Sequence, residues 1–440
     1  MLSRQVSRLA WKAYNFRRVR SSGELVDFEC LNPGCQRRSL AEKLHAQVQY
    51  FGSRPDALPE WKAAARIREP QDLWSVWDQL PIVSKDLLRS RFDPNEMRAR
   101  FRLEGRIDAT GGSTGEPTRF FHDRAMIEAT RAARLYTELR MGWKPGMATV
   151  IVWGSERDIG KNTAILKRAG LKLLQQYVVD GYGIDDRTVE RVLALIQRKA
   201  PVALYGFSSL LEVVAERAID MGKRAKIGDV ATAWNGGEML LPRQGAVFRE
   251  AFGVALLNRY GGRELSAMAC QYQDRGPLNV LRPWLFVEVV DRAGKAVAPG
   301  ETGRLLWTST VCRGTPFLRY DIGDLGNFAP DDTDESGVRR LRGLEGRTAG
   351  TIDLSDGRKM SCLYWNHLFK GYPEVRQFQV VVSRNTQITL LLQGNGFAPE
   401  REVEIREAIR CLLGDRAITL KWVDSIPRTP QGKLSQVVEG

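Results

Sequence analysis

The chain is poor in the side chains that build metal centres and disulfide frameworks. Its 440 residues include only three histidines and six cysteines. The cysteines are scattered, at positions 30, 35, 270, 312, 362 and 411. This distribution excludes a disulfide scaffold and is typical of a cytoplasmic protein in a reducing compartment. Cys30 and Cys35 form a single pair with no second pair at zinc-finger spacing, so the sequence predicts no zinc site.

Long apolar runs are also missing. None reaches the roughly 18 residues that a membrane-spanning helix needs. The first twenty residues are basic, without an acid, and lack the apolar core of a secretory signal. Their apolar positions can share one helical face, which leaves two alternatives open: a basic helix packed on the protein body, or peripheral contact with anionic lipid. We expect no closer membrane association.

Positive charge is in surplus. The chain has 66 Lys and Arg against 52 Asp and Glu, a net charge of +14. Such a surplus attracts anions, including nucleotides, nucleic acids and acidic membranes, without selecting among them. No DNA- or RNA-binding module is present in the sequence, so we expect no nucleic-acid partner. The length predicts two or three domains, and the 43% of hydrophobic residues are enough for large cores.

The order of apolar patterns predicts an α/β architecture. The first hundred residues are mostly helical in pattern, with four apolar anchors: Trp61, Leu73, Trp74 and Trp77. Short strand-like runs then alternate with helical stretches, at 148–153, 202–205, 254–257 and 285–290. One helix is predicted to begin with a capping box at Ser209–Glu212 and to end near Gly222.

The C-terminal end has a different pattern. Paired strands are predicted at 376–382 and 387–393, followed by a helix at 400–413 and a strand at 418–423. This β-β-α-β order indicates a small α+β domain. A glycine-bearing stretch at 343–350 precedes it and is a candidate hinge. We therefore expect a large domain over residues 1–345 and a small mobile domain over residues 346–440.

One glycine-rich segment, TGGSTGEPT at residues 110–118, carries the features of a phosphate-binding loop. Its glycines leave backbone N–H groups accessible, and its hydroxyls add donors, as a polyphosphate requires. The candidate phosphate ligands are Thr110, Gly111, Gly112, Ser113, Thr114 and Gly115. The segment is not a Walker P-loop, because no Gly-Lys-Ser/Thr follows. By composition alone, a flexible turn is an equal alternative.

Four further motifs follow that loop. They are NGGE at 235–238, YGGRE at 260–264, RYDIGD at 319–324 and PRTPQGK at 427–433. With the loop, they occur in the order and approximate spacing of one superfamily. From about residue 70 onward the chain resembles the adenylate-forming enzymes, namely acyl-CoA synthetases and adenylation domains. It is similar in particular to the phenylacetate–CoA ligase-like branch and its CapK-type proteins of polysaccharide loci.

This resemblance implies a fold and a reaction. The fold would be α/β, a large adenylate-forming N-terminal domain with a small α+β C-terminal lid. A substrate carboxylate would attack the α-phosphate of Mg-ATP to give an acyl-adenylate, and CoA or a carrier protein would accept the acyl group. The aromatic residues Trp153, Tyr205 and Phe207 would suit an aryl acid, although core packing explains them equally well.

The resemblance also assigns nucleotide contacts. The loop at 110–115 would bind the β- and γ-phosphates. The residues along adenine and ribose would be Gly236, Gly237, Glu238, Tyr260, Gly261, Asp324 and Arg347. Tyr260 would stack on adenine, Gly261 would allow close approach of the backbone, and Asp324 would accept hydrogen bonds from the ribose.

Three residues are predicted to carry the chemistry. Lys433 would bridge the carboxylate and the α-phosphate, and Glu264 would bind Mg²⁺. Arg263 stands where relatives have threonine and would supply a cation near the phosphates, or else form a structural ion pair. Glu116 and Ala349-Gly350 depart from the residues common in relatives, which leaves open a protein on the same fold that binds without turnover. The sequence separately leaves open a carrier protein or a polysaccharide precursor, in place of CoA, as the acceptor.

Overall fold

The computed structural model describes most of the chain. The described residues are 21–110, 118–153, 170–181, 184–330, 340–347, 352–353, 359–360, 365, 368–369, 372, 374–383, 387–413, 418–427 and 437–439. The first twenty residues, predicted to form a basic helix, lie outside this set. None of the described helices is long and apolar enough to cross a membrane.

Helices fill the N-terminal part, as predicted. After a helical stretch at 21–29, the α-helices and 3₁₀ helices are α1 (Pro33–Gly52), α2 (Pro59–Ala64), Pro70–Ser75, Trp77–Gln79, α3 (Lys85–Arg91) and α4 (Pro94–Phe101). Proline begins α1, α2 and α4, at positions where its missing N–H costs no helical hydrogen bond. Trp61, Leu73 and Trp77 are buried, and Trp74 packs at the edge of the same core.

A β-hairpin carries the candidate phosphate loop. Its strands are β1 (Gly105–Ala109) and β2 (Arg119–Asp123), which pair antiparallel, and α5 (Arg124–Arg140) follows directly. Asp123 caps α5 by accepting a hydrogen bond from the backbone of Met126. The loop is thus anchored at both ends by regular structure.

A five-stranded parallel sheet forms the middle of the chain. Its strands are β3 (Ala148–Trp153), β4 (Gln176–Asp180), β5 (Val202–Gly206), β6 (Val230–Asn235) and β7 (Leu256–Leu257), in the order β4-β3-β5-β6-β7. The connecting helices include α6 (Asp186–Lys199), α7 (Ser208–Asp220) and α8 (Pro242–Phe252). Both faces of such a sheet are covered, which explains the continuous apolar runs of β3 and β5. The strand predicted at 148–153 is confirmed, whereas that at 254–257 contains only the two-residue β7.

Two antiparallel sheets follow. One contains β8 (Arg259–Gly262), β9 (Ser266–Cys270) and β10 (Asn279–Val280). The other contains β11 (Leu285–Val290), β12 (Gly303–Ser309), β13 (Tyr320–Phe328) and β14 (Leu341–Arg347). The strand predicted at 285–290 is confirmed as β11. The predicted domain boundary between residues 345 and 346 falls inside β14 and stays a prediction.

The C-terminal region is a small α+β unit. Its elements are β15 (Ile352–Asp353), β16 (Lys359–Met360), β17 (Val375–Val382), β18 (Ile388–Gly394), α9 (Pro399–Leu413), β19 (Ile418–Trp422) and β20 (Val437–Glu439). Four of the strands form a mixed sheet in the order β19-β18-β17-β20. The predicted β-β-α-β pattern is confirmed. The sequence did not indicate β20, a three-residue strand that gains regular structure only by pairing with β17.

The C-terminal region touches the body beside α7 and α8. Arg243 of α8 donates a hydrogen bond to the carbonyl oxygen of Val375 at 3.3 Å and another to the Glu216 carboxylate at 2.7 Å. A cavity of about 460 Å³ lies at this contact, lined by residues of α7 and by Arg376, Gln377 and Gln393 of the C-terminal sheet. The contact is polar and partly hollow, unlike the packed cores on either side of it.

Candidate functional site

The carboxyl ends of the parallel strands bring the NGGE segment to one edge of the central sheet, where ligands of such sheets bind. Asn235, at the end of β6, is fully buried. Its side-chain amide donates to the carbonyl oxygen of Glu238 at 2.9 Å, and its Oδ1 accepts from the backbone N–H of Arg259 at 3.1 Å. Asn235 therefore fixes the turn that follows β6 against the beginning of β8.

The two glycines of this segment each meet a local constraint. Gly237 has φ +77°, a left-handed conformation that favours glycine. A β-carbon on Gly236 would lie 3.0 Å from the hydroxyl of Tyr205. The turn thus brings the backbone close to the aromatic ring at the end of β5. Its proposed place along adenine remains a prediction.

Glu238 has a structural partner that the sequence did not indicate. Its Oε2 accepts hydrogen bonds from the backbone N–H of Ser209 at 2.9 Å and from the Ser208 hydroxyl at 3.3 Å. A carboxylate at this position accepts hydrogen bonds from N–H groups at the start of the helix and interacts favourably with the positive end of the helix dipole. The predicted capping box at Ser209 is therefore wrong: Phe207 is the N-cap residue of α7, and Glu238 caps the helix from a separate segment. The helix ends at Asp220, with Gly222 following in a left-handed conformation.

Tyr260 and Asp324, predicted to contact adenine and ribose, are in direct contact with each other. The Tyr260 hydroxyl donates to Asp324 Oδ2 at 2.6 Å. Both side chains are nearly buried, each with 9% exposed. They come from different sheets, β8 and β13. Arg347 of β14 is the cross-strand partner of Asp324 in the backbone register, so the two residues assigned to ribose lie on neighbouring strands.

Gly261 is required by strand packing. A β-carbon at this position would lie 2.1 Å from the backbone oxygen of Ser266, at an irregular register between β8 and β9. The close approach that the sequence predicted toward adenine is therefore made, in the described structure, toward the neighbouring strand. This contact accounts for the glycine without a ligand.

Glu264 is held from two directions, by Tyr320, to which the RYDIGD motif had given no role, and by His122, which lies outside the five motifs. The Tyr320 hydroxyl donates to Glu264 Oε1 at 3.2 Å, and the His122 ring contacts the Glu264 carbonyl oxygen through Nε2 at 2.7 Å. Burial, together with the Glu264 carboxylate, keeps the pKa of Tyr320 well above its usual value, so the hydroxyl stays protonated. Burial also lowers the pKa of His122, which favours a neutral ring that donates through Nε2.

The surroundings of Glu264 fit a magnesium ligand. Its carboxylate is nearly buried, and a β-carbon on Gly262 would come within 3.1 Å of Oε2. A glycine at that position therefore keeps the space beside the carboxylate clear. Mg²⁺ commonly takes one or two protein carboxylates together with substrate phosphates and water. Among the residues that the structure describes, no cluster of three or more His, Cys, Asp or Glu side chains forms a separate metal site.

Arg263 lies at the base of the candidate phosphate loop. Its guanidinium is 3.6 Å from the carboxylate of Asp108, two residues before Thr110. Both side chains are about a quarter exposed. This contact matches the structural-pair alternative for Arg263, and it also holds a cation next to the start of the loop.

The two ends of the candidate phosphate loop are hydrogen-bonded to each other. Thr110 donates its backbone N–H to the carbonyl oxygen of Thr118 at 3.0 Å, and the Thr110 hydroxyl accepts from the Thr118 N–H at 2.9 Å. Arg89 of α3 donates to the Thr118 hydroxyl at 3.3 Å, which brings a second cation to the loop. The predicted ligands at 111–115, as well as Lys433 and Gly350, lie outside the described residues.

Aromatic rings form a wall beside the NGGE turn. Trp153 lies 4.0 Å from Phe207 and 5.2 Å from Tyr205, measured between ring centroids, and Tyr205 stacks on Trp234 at 5.9 Å. Trp153 and Tyr205 remain half-buried, whereas Phe207 and Trp234 are fully buried. The wall predicted from Trp153, Tyr205 and Phe207 thus exists as a contiguous group, and its role in binding an acid stays a prediction.

Sequence comparison finds a distant relative of this chain among known enzymes. No protein-family model matches the sequence. The chain is 23% identical over 337 residues to a phenylacetate-coenzyme A ligase of Aromatoleum evansii, which covers 74% of each protein. These findings mark the chain as a distant homologue of that enzyme.

Solved structures show the same fold. The structure of 2-hydroxyisobutyryl-CoA ligase in the postadenylation state, in complex with R3-HIB-AMP, matches with a TM-score of 0.67 at 19% identity, over 92% of this chain and 90% of that one. The same ligase with 2-HIB-AMP and CoA in the thioesterification state matches with a TM-score of 0.55 at 20% identity, over 93% and 90%. ATP-bound MatB from Rhodopseudomonas palustris matches with a TM-score of 0.53 at 16% identity, over 74% and 65%. The fold is therefore that of the adenylate-forming acyl-CoA ligases, with a large N-terminal and a small C-terminal region.

Proposed function

We propose that this protein activates a small carboxylic acid as an acyl-adenylate at the expense of ATP, and then transfers the acyl group to CoA. One observation carries the proposal. Tyr260 and Asp324 are buried and hydrogen-bonded to each other, and Glu264 is hydrogen-bonded to Tyr320 of the strand that carries Asp324. Arg263 and Glu264 contact the two strands that flank the candidate phosphate loop. These contacts support the proposal that the residues assigned to adenosine and the candidate phosphate loop form one site.

In the first step, a carboxylate oxygen of the acid attacks the α-phosphorus of ATP. A new O–P bond forms, the bond between the α- and β-phosphates breaks, and pyrophosphate leaves. The protein contributes positioning and charge neutralisation rather than covalent chemistry. In this proposal Tyr260 and Asp324 hold adenosine, and the loop at 110–118, with Arg263 and Arg89 at its ends, holds the phosphates.

Mg²⁺, when bound, would neutralise phosphate charge during this step. Glu264 would hold it, because its carboxylate is buried beside clear space and oriented by a neighbouring hydroxyl. Tyr320 fixes one carboxylate oxygen, and His122 fixes the backbone of the same residue. Both contacts reduce the reorganisation that ligand binding requires.

Lys433 would approach the reacting carboxylate and the α-phosphate, since an ammonium group there offsets two like charges as they meet. Residues 346–440 would form the lid that carries it. In the second step the CoA thiol gives its proton to solvent and its sulfur attacks the acyl carbon. The bond from that carbon to the adenylate oxygen breaks, and AMP leaves. The lid must reorient between the two steps. One ligase of known structure matches this chain with a higher TM-score in its postadenylation state than in its thioesterification state. This difference supports a lid that can take two positions.

The identities of the relatives support CoA as the acceptor, since the phenylacetate and 2-hydroxyisobutyryl enzymes are both named as CoA ligases. The CapK-type assignment, with an acceptor in polysaccharide synthesis, remains a prediction from the motifs. The competing proposal is that this protein binds ATP on the same fold but catalyses no reaction.

ATP–pyrophosphate exchange that depends on an added carboxylic acid tests the proposal. We expect exchange with at least one acid of a chemically varied panel, and thioester formation once CoA is present. Lys433→Ala should lower exchange by two or more orders of magnitude, about 3–4 kcal/mol for one preorganised cation at developing charge. Lys421→Ala, at an exposed lysine of β19, is the matched control and should retain full exchange.

Two results would count against the proposal. ATP binding without exchange for any acid would identify a binding protein on this fold. Exchange by Lys433→Ala at more than about a third of the wild-type rate, against the loss expected for a catalytic cation, would remove Lys433 from the chemistry.

A further inference from the structure

A buried guanidinium lies beside the aromatic wall, directly before the tyrosine assigned to adenine. Arg259 of β8 has only 9% of its side chain exposed. Its guanidinium carbon lies 4.5 Å from the centroid of the Tyr205 ring. Successive residues of a strand point to opposite faces, so Tyr260 reaches Asp324 on one side of β8 while Arg259 reaches Tyr205 on the other.

The positive charge of Arg259 is incompletely matched. Its nearest carboxylate is that of Glu138 on α5, where Oε1 lies 3.7 Å from Arg259 Nη1. This distance is too long for a hydrogen bond, and Nη1 is buried without a hydrogen-bond partner among the described residues. The same Glu138 oxygen accepts a hydrogen bond from Arg134 Nε at 2.8 Å. One carboxylate is thus shared between two guanidinium groups.

A buried donor without an acceptor is costly, and a buried charge without full compensation is more so. Such a cost is expected where a ligand supplies the missing group. Contact with the Tyr205 ring stabilises the guanidinium only in part. The acceptor that would complete this arrangement is an anionic oxygen, because a guanidinium presents planar paired donors that match a carboxylate.

We propose that Arg259 determines substrate specificity by binding a second carboxylate of the acid that is activated. This inference rests on the proposed function. The reacting carboxylate must reach the nucleotide phosphates, so the remainder of the acid extends away from them. Tyr205 lies beside the NGGE turn and in contact with Trp153, and the Arg259 guanidinium lies over the Tyr205 ring. The substrate class is therefore a dicarboxylic acid rather than a simple monocarboxylic acid.

Matched pairs of acids test this assignment in the pyrophosphate-exchange assay. The pairs are para-phenylenediacetate against phenylacetate, and the linear dicarboxylates from succinate to suberate against monocarboxylates of equal chain length. For at least one pair, the wild type should use the diacid with a kcat/KM about tenfold or more above that of the monoacid, the factor of one charge-assisted hydrogen bond. Isothermal titration of the preferred diacid in the presence of AMP gives a second readout that requires no turnover.

Arg259→Met keeps most of the side-chain volume and removes the charge. It should lower kcat/KM for the diacid about tenfold to a hundredfold and leave the monoacid unchanged, so that the preference disappears. Arg259→Lys retains charge without the paired donors and should fall between the two. Arg134→Met is the control, because it removes the other guanidinium from Glu138 and should preserve the preference.

Thermal unfolding establishes that each variant is folded. If Arg259→Met does not fold, the comparison of diacid and monoacid is made with Arg259→Lys instead. The inference is overturned if exchange occurs but every diacid is used no better than its monoacid partner. It is also overturned if the Arg259 variant loses activity toward both members of a pair by the same factor. That result would show that Arg259 serves only as a structural partner of Glu138. Absence of exchange with every acid would instead refute the proposed function itself.

Discussion

The hydroxyl of Tyr260 donates a 2.6 Å hydrogen bond to Asp324, although the two residues belong to different sheets and are separated by 64 positions in the chain. The bond sets the orientation of the aspartate carboxylate. It also fixes the plane of the tyrosine ring, because a buried side chain with two anchored ends has little rotational freedom. The residues assigned to adenine and to ribose are therefore one coupled unit.

Tyr260→Phe should weaken ATP binding while preserving the ring that would stack on adenine. One hydrogen bond to a charged group contributes about 1.5–3 kcal/mol. Because this bond acts on ATP only by orienting Asp324, part of that free energy is lost from binding, and we expect the Kd for ATP to rise about fivefold to tenfold. Tyr136→Phe is the control, since it removes a buried hydroxyl that contacts Tyr272 instead. In a double-mutant cycle with Asp324→Asn, additive effects would show that the bond does not matter for the nucleotide.

Gly261→Ala should damage both stability and the site. The added β-carbon would lie 2.1 Å from a backbone oxygen of β9, which cannot move aside as a side chain could. We expect the free energy of unfolding to fall by about 1–3 kcal/mol, as in overpacked cores. Gly245→Ala, in α8 with open space around it, should leave stability unchanged or raise it by up to about 1 kcal/mol. Equal stability of the two variants, measured by denaturant unfolding, would contradict the close approach of β8 to β9.

Glu212 should make stability depend on pH. It is buried on α7, where Gln244 donates a hydrogen bond to its carboxyl at 3.0 Å. Burial raises the pKa of Glu212 from 4.5 to about 7, and the negative charge of Glu216 contributes. The folded state therefore holds a proton that the unfolded state releases. The contribution of Glu212 leaves the free energy of unfolding unchanged below pH 4.5 and lowers it as the pH rises from 4.5 to about 7. Above about pH 7 the free energy of unfolding stays at this lowered value.

Glu212→Gln should remove this loss. Above pH 7 the variant should be more stable than the wild type by roughly 3 kcal/mol, because a difference of one in pKa between the folded and unfolded states corresponds to about 1.36 kcal/mol. The two proteins should converge toward pH 4.5, which denaturant unfolding across this range would measure. Glu250→Gln, which removes an exposed carboxylate paired with Arg224, should change stability by no more than about 0.5 kcal/mol. Parallel stability curves for Glu212→Gln and the wild type would exclude a raised pKa for this carboxyl.

Arg243→Met should change the balance between the two half-reactions. The Arg243 contact with Val375 joins α8 to the C-terminal region in the arrangement described, so its loss should favour other arrangements. One such hydrogen bond is worth about 0.5–1.5 kcal/mol, which corresponds to a twofold to tenfold change in the ratio of exchange to thioester formation. Arg249→Met removes an arginine of the same helix that pairs with Asp274 within the body and should leave the ratio unchanged. The same ratio in both variants would show that the contact does not bias the lid.

Local sequence patterns predicted those helices and strands that can be recognised from apolar runs and periodicity alone. The strands at 148–153 and 285–290 and the helix near 400–413 were predicted from apolar runs and periodicity, and the structure has them at nearly those bounds. The five ordered motifs likewise indicated the fold and selected Tyr260, Glu264 and Asp324.

Tertiary structure alone decided which side chains meet across long separations. Tyr320 and His122 orient Glu264, Glu238 caps α7 in place of the predicted serine, and Arg259 shares a carboxylate with Arg134, all through contacts between distant segments. No local pattern encodes such pairs, because a buried polar group takes whichever partner the packed elements place within hydrogen-bond distance. The sequence by itself therefore determined the class of fold and predicted which residues would face the nucleotide, while the packing of three sheets decided how those residues are oriented and where an unmatched charge lies.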